Sequence, residues 1–89
     1  MLIFSEFKNK TTLCVTRNGF GAIGILISFD ENFLLFEPTK QEYTVEQLEK
    51  IKSITHIRCV NLKTPAILPV ADISMMLDLT QTIQKINET

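Results

Sequence analysis

The stretch NGFGAIGILISFD, from Asn18 to Asp30, decides how this sequence is interpreted. Asn-Gly is the strongest short signal for a β-hairpin turn, because glycine readily adopts the positive φ angles that tight hairpins need. The residues that follow, up to Phe29, carry no charge and predict a single strand. Gly24 lies in the middle of that strand, where glycine costs roughly 0.5–1 kcal/mol, so it indicates a strongly bent strand of the kind that closes a small barrel.

Further strands are predicted on both sides of this stretch. The segment LCVTR precedes the turn and alternates in the manner of a strand. FLLFEP, which Pro38 ends, is predicted to be the next strand, and THIRCVNL and TPAILPV are predicted to be two more. The N-terminal MLIFSEF is also predicted to be a short strand. The chain is therefore expected to be mainly β.

Two helices are predicted in the second half of the chain. Thr44 and Gln47 have the spacing of a capping box, and apolar residues recur at helical spacing over Val45 to Ser53. Asp72 is expected to cap a longer helix, Ile73 to Ile86, whose apolar side covers roughly 200° instead of the about 100° that one sheet face needs. This wide stripe leaves two interpretations open: the helix contacts both its own sheet and a neighbouring subunit, or it lies deep in a small core.

Length and composition predict one small domain. With 89 residues, the chain is in the size range where a single core is marginal, so association with copies of itself is expected to complete the core. The net charge of −1 gives no overall attraction to nucleic acid or anionic lipid, so any nucleic-acid site must be local. The sequence predicts neither a signal peptide nor a membrane span, and the expected location is a bacterial or viral cytoplasmic setting.

The residue types give little support for catalysis or metal binding. Cys14 and Cys59 lie in apolar, strand-like segments, where a free buried thiol is the expected state. A single histidine, His56, excludes a multi-histidine metal site, and no catalytic set of side chains can be assembled. The sequence therefore predicts a protein that is not an enzyme and that needs no cofactor or metal.

The glycine and aspartate spacing resembles a known motif. The pattern G-x-x-x-x-G-x-L-x-x-F-D, the centre of the first Sm motif of Sm and Lsm proteins and of bacterial Hfq, is reproduced by Gly19, Gly24, Leu26, Phe29 and Asp30. The resemblance covers residues 12–38 well. It implies a small, strongly bent, five-stranded antiparallel barrel that joins edge to edge with copies of itself into a ring of about five to seven subunits. In such a ring each open edge finds a partner strand.

The resemblance also implies a candidate RNA site at the inner rim of the ring. Family members commonly bind single-stranded, often U-rich RNA there, with bases stacked between the loop after F-D and an Arg or Lys of a second motif, typically I-R-G. The corresponding positions here are Asp30, Asn32 and Arg58. Asn32 has no ring on which a base could stack, and Ile57-Arg58-Cys59 has cysteine in place of the glycine. Two turn residues and a solvated strand arginine also explain these three positions.

The combined prediction is a single Sm-like domain with two added helices. Its parts are an N-terminal strand and turn at 1–11, the first motif at 12–38, an inserted helix at 44–54, the second-motif region at 55–69 and a C-terminal helix packed on the sheet at 72–87. Two functions remain open, and neither involves a membrane. The first is a homo-oligomeric ring that binds RNA at its inner rim. The second is an oligomeric scaffold that binds protein without RNA, with the helix Ile73 to Ile86 as the docking or assembly surface.

Overall fold

The computed structural model describes residues 4–80 of the chain. Its elements follow in this order: a 3₁₀ helix at Phe4–Phe7, strands β1 at Thr11–Thr16, β2 at Phe20–Phe29 and β3 at Phe33–Glu37, helix α1 at Val45–Thr55, strands β4 at Arg58–Asn61 and β5 at Ala66–Pro69, a 3₁₀ helix at Val70–Asp72 and strand β6 at Ile73–Asp78. The described chain is therefore mainly β, as the sequence predicts, with α1 as its one complete α-helix.

Five strands form one antiparallel path in the order β5-β3-β2-β1-β6. β4 is outside this path and pairs in parallel with the first residues of β2. The sheet is not closed, because β5 and β6 lie at the two ends of the path and each pairs with a single described strand. The antiparallel sheet is thus confirmed, whereas closure into a barrel is not seen within the described chain.

β2 has two different partners along one of its edges. Residues 20–23 pair with β4, and residues 25–29 pair with β3. Gly24 lies between the two parts. A Cβ atom there would lie 2.8 Å from the carbonyl oxygen of Glu37 and 2.7 Å from Leu62 Cδ1, closer than Cβ atoms normally approach other atoms. Gly24 is therefore required by the close approach of two chain segments at the point where β2 changes partner.

The core consists of two clusters of buried side chains, one on each face of β1. The first joins the sheet to α1, and its buried members are Leu13, Val15, Ile23, Ile51, Cys59 and Leu79. The second lies on the opposite face, and its buried members are Cys14, Leu26, Leu34, Phe36, Ile73 and Met76. Both cysteines are buried free thiols, as the sequence predicts. Because β1 is buried on both faces and paired on both edges, it is enclosed on all sides.

The hairpin predicted at Asn18-Gly19 is confirmed. Gly19 has a φ angle of +84°, and its N–H donates to the carbonyl oxygen of Thr16 at 2.9 Å. Leu26 is fully buried, and Phe29 packs against the second cluster. The two apolar residues of the motif therefore supply core volume.

α1 begins at the predicted residue and is held at both ends. Thr44 Oγ1 accepts the N–H of Gln47 at 3.1 Å, and Gln47 Oε1 accepts the N–H of Thr44 at 2.9 Å, which forms the predicted capping box. The helix continues past the predicted end at Ser53 to Thr55. It ends where His56 takes a left-handed conformation, with a φ angle of +61°, and donates its N–H to the carbonyl oxygen of Lys52.

The predicted C-terminal helix is wrong in its first part. Ile73–Asp78 forms β6, which pairs antiparallel with β1. Asp72 does not cap an α-helix: it ends the second 3₁₀ helix, and its carbonyl oxygen accepts the N–H of Arg17 at 2.9 Å. Leu79 and Thr80 are helical and are the last described residues, so positions 81–87 of the predicted helix lie outside the described residues.

Pairing with β1 overrides the local helix preference of this segment. Met and Leu favour helices, but β1 has buried residues on both faces and needs a partner on its second edge. The apolar residues that predicted a wide stripe on a helix are explained by the same pairing, because they face both sides of the sheet. In β6, Ile73 and Met76 pack in the second cluster, whereas Met75 and Leu77 pack against the first. For the described residues, the apolar side chains of this segment therefore pack in two core clusters of the same chain.

The predicted N-terminal strand is also wrong where the structure describes it. Phe4–Phe7 forms a 3₁₀ helix, and residues 1–3 lie outside the described residues. Phe4 and Phe7 are three positions apart, so one turn of 3₁₀ helix places both rings on the same side. Both rings pack against the second cluster. A strand would have pointed them to opposite faces, and only one could have joined this cluster.

Candidate functional site

The loop that follows β2 is built around Asp30. Asp30 Oδ1 accepts the backbone N–H groups of Asn32 at 2.7 Å and Phe33 at 2.8 Å, and the N–H of Asp30 donates to the carbonyl oxygen of Phe33 at 3.0 Å. The two N–H donors favour the charged carboxylate, so they hold the pKa of Asp30 below its ordinary value. The predicted turn role of Asp30 is confirmed, because its carboxylate closes the tight turn into β3.

A short helix lies beside this loop. The N–H of Val70 donates to the carbonyl oxygen of Asn32 at 2.9 Å, so the 3₁₀ helix that Val70 begins is next to the turn. The carboxylates of these two segments belong to Asp30, Glu31 and Asp72, and neither segment contains Lys or Arg. Asp30 and Glu31 make the loop itself acidic, which repels phosphate and weighs against RNA contacts there, whereas Asp72 lies next to Arg17.

Arg58, the third predicted RNA-binding residue, lies elsewhere on the molecule. It is exposed, begins β4 and pairs in register with Phe20, the first residue of β2. Asp30 follows the last residue of β2, so a ten-residue strand separates the two positions, up to roughly 30 Å at about 3.3 Å per residue. The structure therefore does not bring Arg58 together with Asp30 and Asn32 within one chain.

Arg58 instead lines a groove between α1 and the free edge of β4, which we call the α1–β4 groove. The groove has a volume of about 300 Å³. Its lining residues are Val45, Leu48, Glu49 and Lys52 on α1 and Arg58, Cys59 and Val60 on β4. The α1 residues follow i, i+3, i+4 and i+7 spacing, which places them along one side of the helix. β4 pairs with β2 on one edge and with no described strand on the other.

The α1–β4 groove has a basic end and an apolar end. A short connection joins α1 to β4, so Lys52, near the end of α1, and Arg58, at the start of β4, lie at the same end. Val45 and Val60, which are both exposed, mark the other end. Among the described residues, neither Lys52 nor Arg58 forms an ion pair or a side-chain hydrogen bond. Glu49 is the one carboxylate among the lining residues.

Sequence reasoning did not identify this groove. It interpreted the helix as an insertion into a family fold and assigned Arg58 to a motif of that family. A usable signal was present in α1, because Val45, Leu48 and Lys52 combine apolar and basic residues along one side of the helix. No comparable signal predicted that β4 pairs with β2, because strand pairing between distant parts of the chain leaves no local sequence pattern.

A second exposed apolar area lies on β3 and β5, and we call it the β3–β5 face. Phe33 pairs with Pro69 and Leu35 pairs with Ile67, and the exposed fractions of Phe33 and Ile67 are 49% and 67%. Residues two apart along a strand share a face, so these four side chains lie together. A pocket of about 300 Å³ lies between this face and the Asp30 loop. The β3–β5 face therefore leaves apolar surface uncovered beside one edge of the sheet.

The two thiols are poorly suited to nucleophilic chemistry. Burial raises the pKa of Cys14 to about 12, and burial together with the charge of Glu49 raises the pKa of Cys59. The thiolate is the reactive form, so neither environment activates its cysteine. Within residues 4–80, no group of three or more His, Cys, Asp or Glu side chains is placed to hold a metal ion. That same part of the chain has no helix with both the length and the apolar character to cross a membrane.

Neither a protein-family model nor a curated protein matches this sequence. Two features of the structure bear on function: the free edges of the sheet and the α1–β4 groove.

Proposed function

We propose that this protein is a non-enzymatic scaffold that assembles with copies of itself through the edges of its sheet. The observation that carries the proposal is the pair of edge strands, β5 and β6, at opposite ends of one five-stranded antiparallel path. An edge presents backbone N–H and C=O groups that a second chain can pair with, here along residues 66–68 of β5, since Pro69 has no N–H, and along residues 73–77 of β6. If β5 of one copy pairs with β6 of the next, the same contact repeats around a closed ring.

The resemblance to Sm-like proteins supports the same assembly. It implies a five-stranded antiparallel fold whose copies join edge to edge, and the path here has five antiparallel strands. The small size of the chain favours assembly too, because 89 residues bury only a limited core. The β3–β5 face adds exposed apolar side chains that a neighbouring copy would cover. The proposed assembly is a ring of about five to seven copies.

The charges around the Asp30 loop favour a scaffold that binds protein over a ring that binds RNA. The loop carries the carboxylates of Asp30 and Glu31, and Asn32 offers no ring for base stacking. Arg58 lies at the other end of β2. RNA binding through Asp30, Asn32 and Arg58 stays a prediction, and it would require neighbouring copies to bring these positions together.

The mass in solution tests the assembly. Sedimentation velocity over a range of protein concentrations is expected to give one discrete species whose mass is about five to seven times 10.2 kDa. Edge pairing depends on backbone hydrogen bonds and apolar contacts, so high salt is expected to leave this species intact. A monomer at every concentration would contradict the proposal.

The same sample tests the RNA-binding alternative. Fluorescence anisotropy with a labelled oligo-U RNA is expected to show no saturable binding. Binding that weakens steeply with salt and that Arg58→Ala abolishes would replace the protein scaffold with an RNA-binding ring, because phosphate contacts release counterions. Lys40→Ala is the matched control, since it removes an exposed cation outside the three predicted positions.

A further inference from the structure

The free edge of β4 offers a place for another strand. β4 pairs on one edge with residues 20–23 of β2, and no described strand covers its other edge. α1 lies alongside, since Ile51 and Cys59 share the first core cluster. The side chain of Asn61 fixes the segment before α1, because it accepts the N–H of Tyr43 at 3.0 Å and donates to its carbonyl oxygen at 2.9 Å. An exposed sheet edge is a template on which extended peptides bind as an added strand.

We propose that the α1–β4 groove binds an extended peptide segment of a partner protein. The segment carries an acidic side chain opposite Arg58, an apolar side chain opposite Val60, and between them an apolar side chain directed toward Leu48. This inference rests on the proposed scaffold function, because it specifies what the scaffold holds.

The alternation of side chains along β4 sets the sequence pattern of the peptide. Cys59 is buried, so Arg58 and Val60 point to the opposite face of the strand from Cys59. In an added strand, the residues opposite Arg58 and Val60 share that face with them. The residue between them points to the α1 side, where Leu48 lines the groove. The expected pattern is therefore acidic–apolar–apolar over three successive residues of a peptide that runs parallel to β4, as β2 does.

The charge of the groove selects an acidic partner. Lys52 and Arg58 outnumber Glu49, and among the described residues neither cation has an ion-pair partner. Opposite charges directly across two strands attract, whereas like charges repel. A peptide with a basic residue at the first position is expected to be disfavoured.

The direct test is an NMR titration with a synthetic peptide that is blocked at both ends and carries Glu-Ile-Val between threonines. The blocked ends leave the glutamate as its one carboxylate. Saturable shifts are expected at residues 58–60 and at Lys52. Replacing the glutamate of the peptide with lysine is expected to weaken binding by roughly 3- to 10-fold. Equal affinity for the two peptides, or shifts confined to another surface, would overturn the proposal.

A charge exchange separates recognition from loss of folding. Arg58→Glu changes an exposed residue. It is expected to weaken binding of the glutamate peptide and to strengthen binding of the lysine peptide. Lys50→Glu makes the same change at an exposed α1 position that does not line the groove, and it is expected to preserve the preference for the glutamate peptide. A preference that Arg58→Glu does not reverse would contradict the pairing with Arg58.

The mass of the same sample distinguishes failure of this inference from failure of the assembly. If the protein is a monomer that binds the glutamate peptide, the proposed ring is wrong and peptide binding in the α1–β4 groove is supported. If the protein is a ring that binds neither peptide, the proposed peptide binding alone is wrong. A ring that Arg58→Glu dissociates would identify a second copy of the chain as the occupant of the groove and would likewise overturn the peptide proposal.

Discussion

Gly19 and Gly24 occupy positions that favour glycine for different physical reasons. At Gly19 the φ angle is positive, and an added Cβ would meet no atom within 4 Å. At Gly24 an added Cβ would meet the carbonyl oxygen of Glu37 and the side chain of Leu62. The first position therefore restricts the backbone conformation, and the second restricts the volume.

Gly24→Ala is expected to destabilise the fold more than Gly19→Ala. Overpacking costs typically 1–3 kcal/mol, and the upper part of that range is expected at Gly24 because a backbone carbonyl cannot move aside as a side chain can. A left-handed alanine costs about 1 kcal/mol, which is the expected effect at Gly19. Urea unfolding of both variants measures the difference, and equal losses would argue against crowding where β2 changes partner.

Asp30 is expected to make stability depend on pH in the acid range. The N–H groups of Asn32 and Phe33 lower the pKa of Asp30 in the folded protein, so its contribution is present above the unfolded-state pKa and disappears as pH falls through the folded-state pKa. Asp30→Asn keeps an acceptor oxygen but cannot titrate. The stability difference between the parent and Asp30→Asn is therefore expected to shrink on acidification. An NMR titration that finds an ordinary pKa for Asp30 would contradict this.

Residue-scale features were predicted well because their causes lie within a few positions of each other. The Asn18-Gly19 turn and the Asp30 turn are set by φ angles and by hydrogen bonds between near neighbours. The role of Gly24 was only partly accessible. A mid-strand glycine signals an unusual strand, but the atoms that exclude a Cβ come from Glu37 and Leu62, far along the chain.

At the scale of elements, α1 depends on its first turn. The Thr44 hydroxyl and the Gln47 side chain each satisfy a backbone N–H that the helix leaves unpaired. Few buried contacts support the helix, since Ile51 is its one buried residue. The capping box therefore adds to the packing of Ile51 and Leu48, which holds α1 against the first cluster.

Thr44→Ala is expected to destabilise the protein by about 1 kcal/mol, the typical effect of removing a cap. Ser53→Ala removes a hydroxyl from an exposed position of the same helix without touching the cap, and it is expected to change stability by less than about 0.5 kcal/mol. Thermal unfolding measures both variants. Equal effects would mean that the capping box contributes nothing beyond helix propensity.

Two elements were predicted wrongly, and non-local packing decides both. The segment ISMMLD has helix-forming residues, but it pairs with the second edge of β1 and forms β6. Phe4 and Phe7 were interpreted as strand residues, but both rings pack on one cluster. The candidate site shows the same division. The Asp30 loop could be located from local sequence, whereas the place of Arg58 depends on β4 pairing with the start of β2.

At the scale of the whole molecule, the protection of the sheet edges bears on whether the protein stays monomeric. Edge strands are commonly protected by lysine, because a charged side chain discourages pairing with another chain. Ile67 is on the edge strand β5 and is 67% exposed. It places an apolar side chain where a protected edge would have a charged one. Its environment is consistent with a contact between copies.

Ile67→Lys is expected to convert the proposed ring to monomers while leaving the fold intact, because the side chain is exposed in the single chain. Ile54→Lys is the matched control, since Ile54 is an exposed isoleucine on α1 outside the sheet edges. Sedimentation velocity measures the mass of each variant, and circular dichroism checks its fold. An Ile67→Lys protein with the mass of the parent assembly would exclude the β5 edge from the contact.

The pairing of β1 with β6 also determines when the protein can fold during its synthesis. β1 is the first strand of the described chain to be made and β6 is the last, yet they are neighbours. Until Ile73–Asp78 has been translated, the buried residues of β1 have a partner on one edge only, and both clusters lack members. Such nascent chains expose apolar surface and an unpaired strand edge, which makes them prone to aggregate. A chain that ends just before Ile73 is therefore expected to be bound by chaperones and cleaved by proteases, although it contains every other strand.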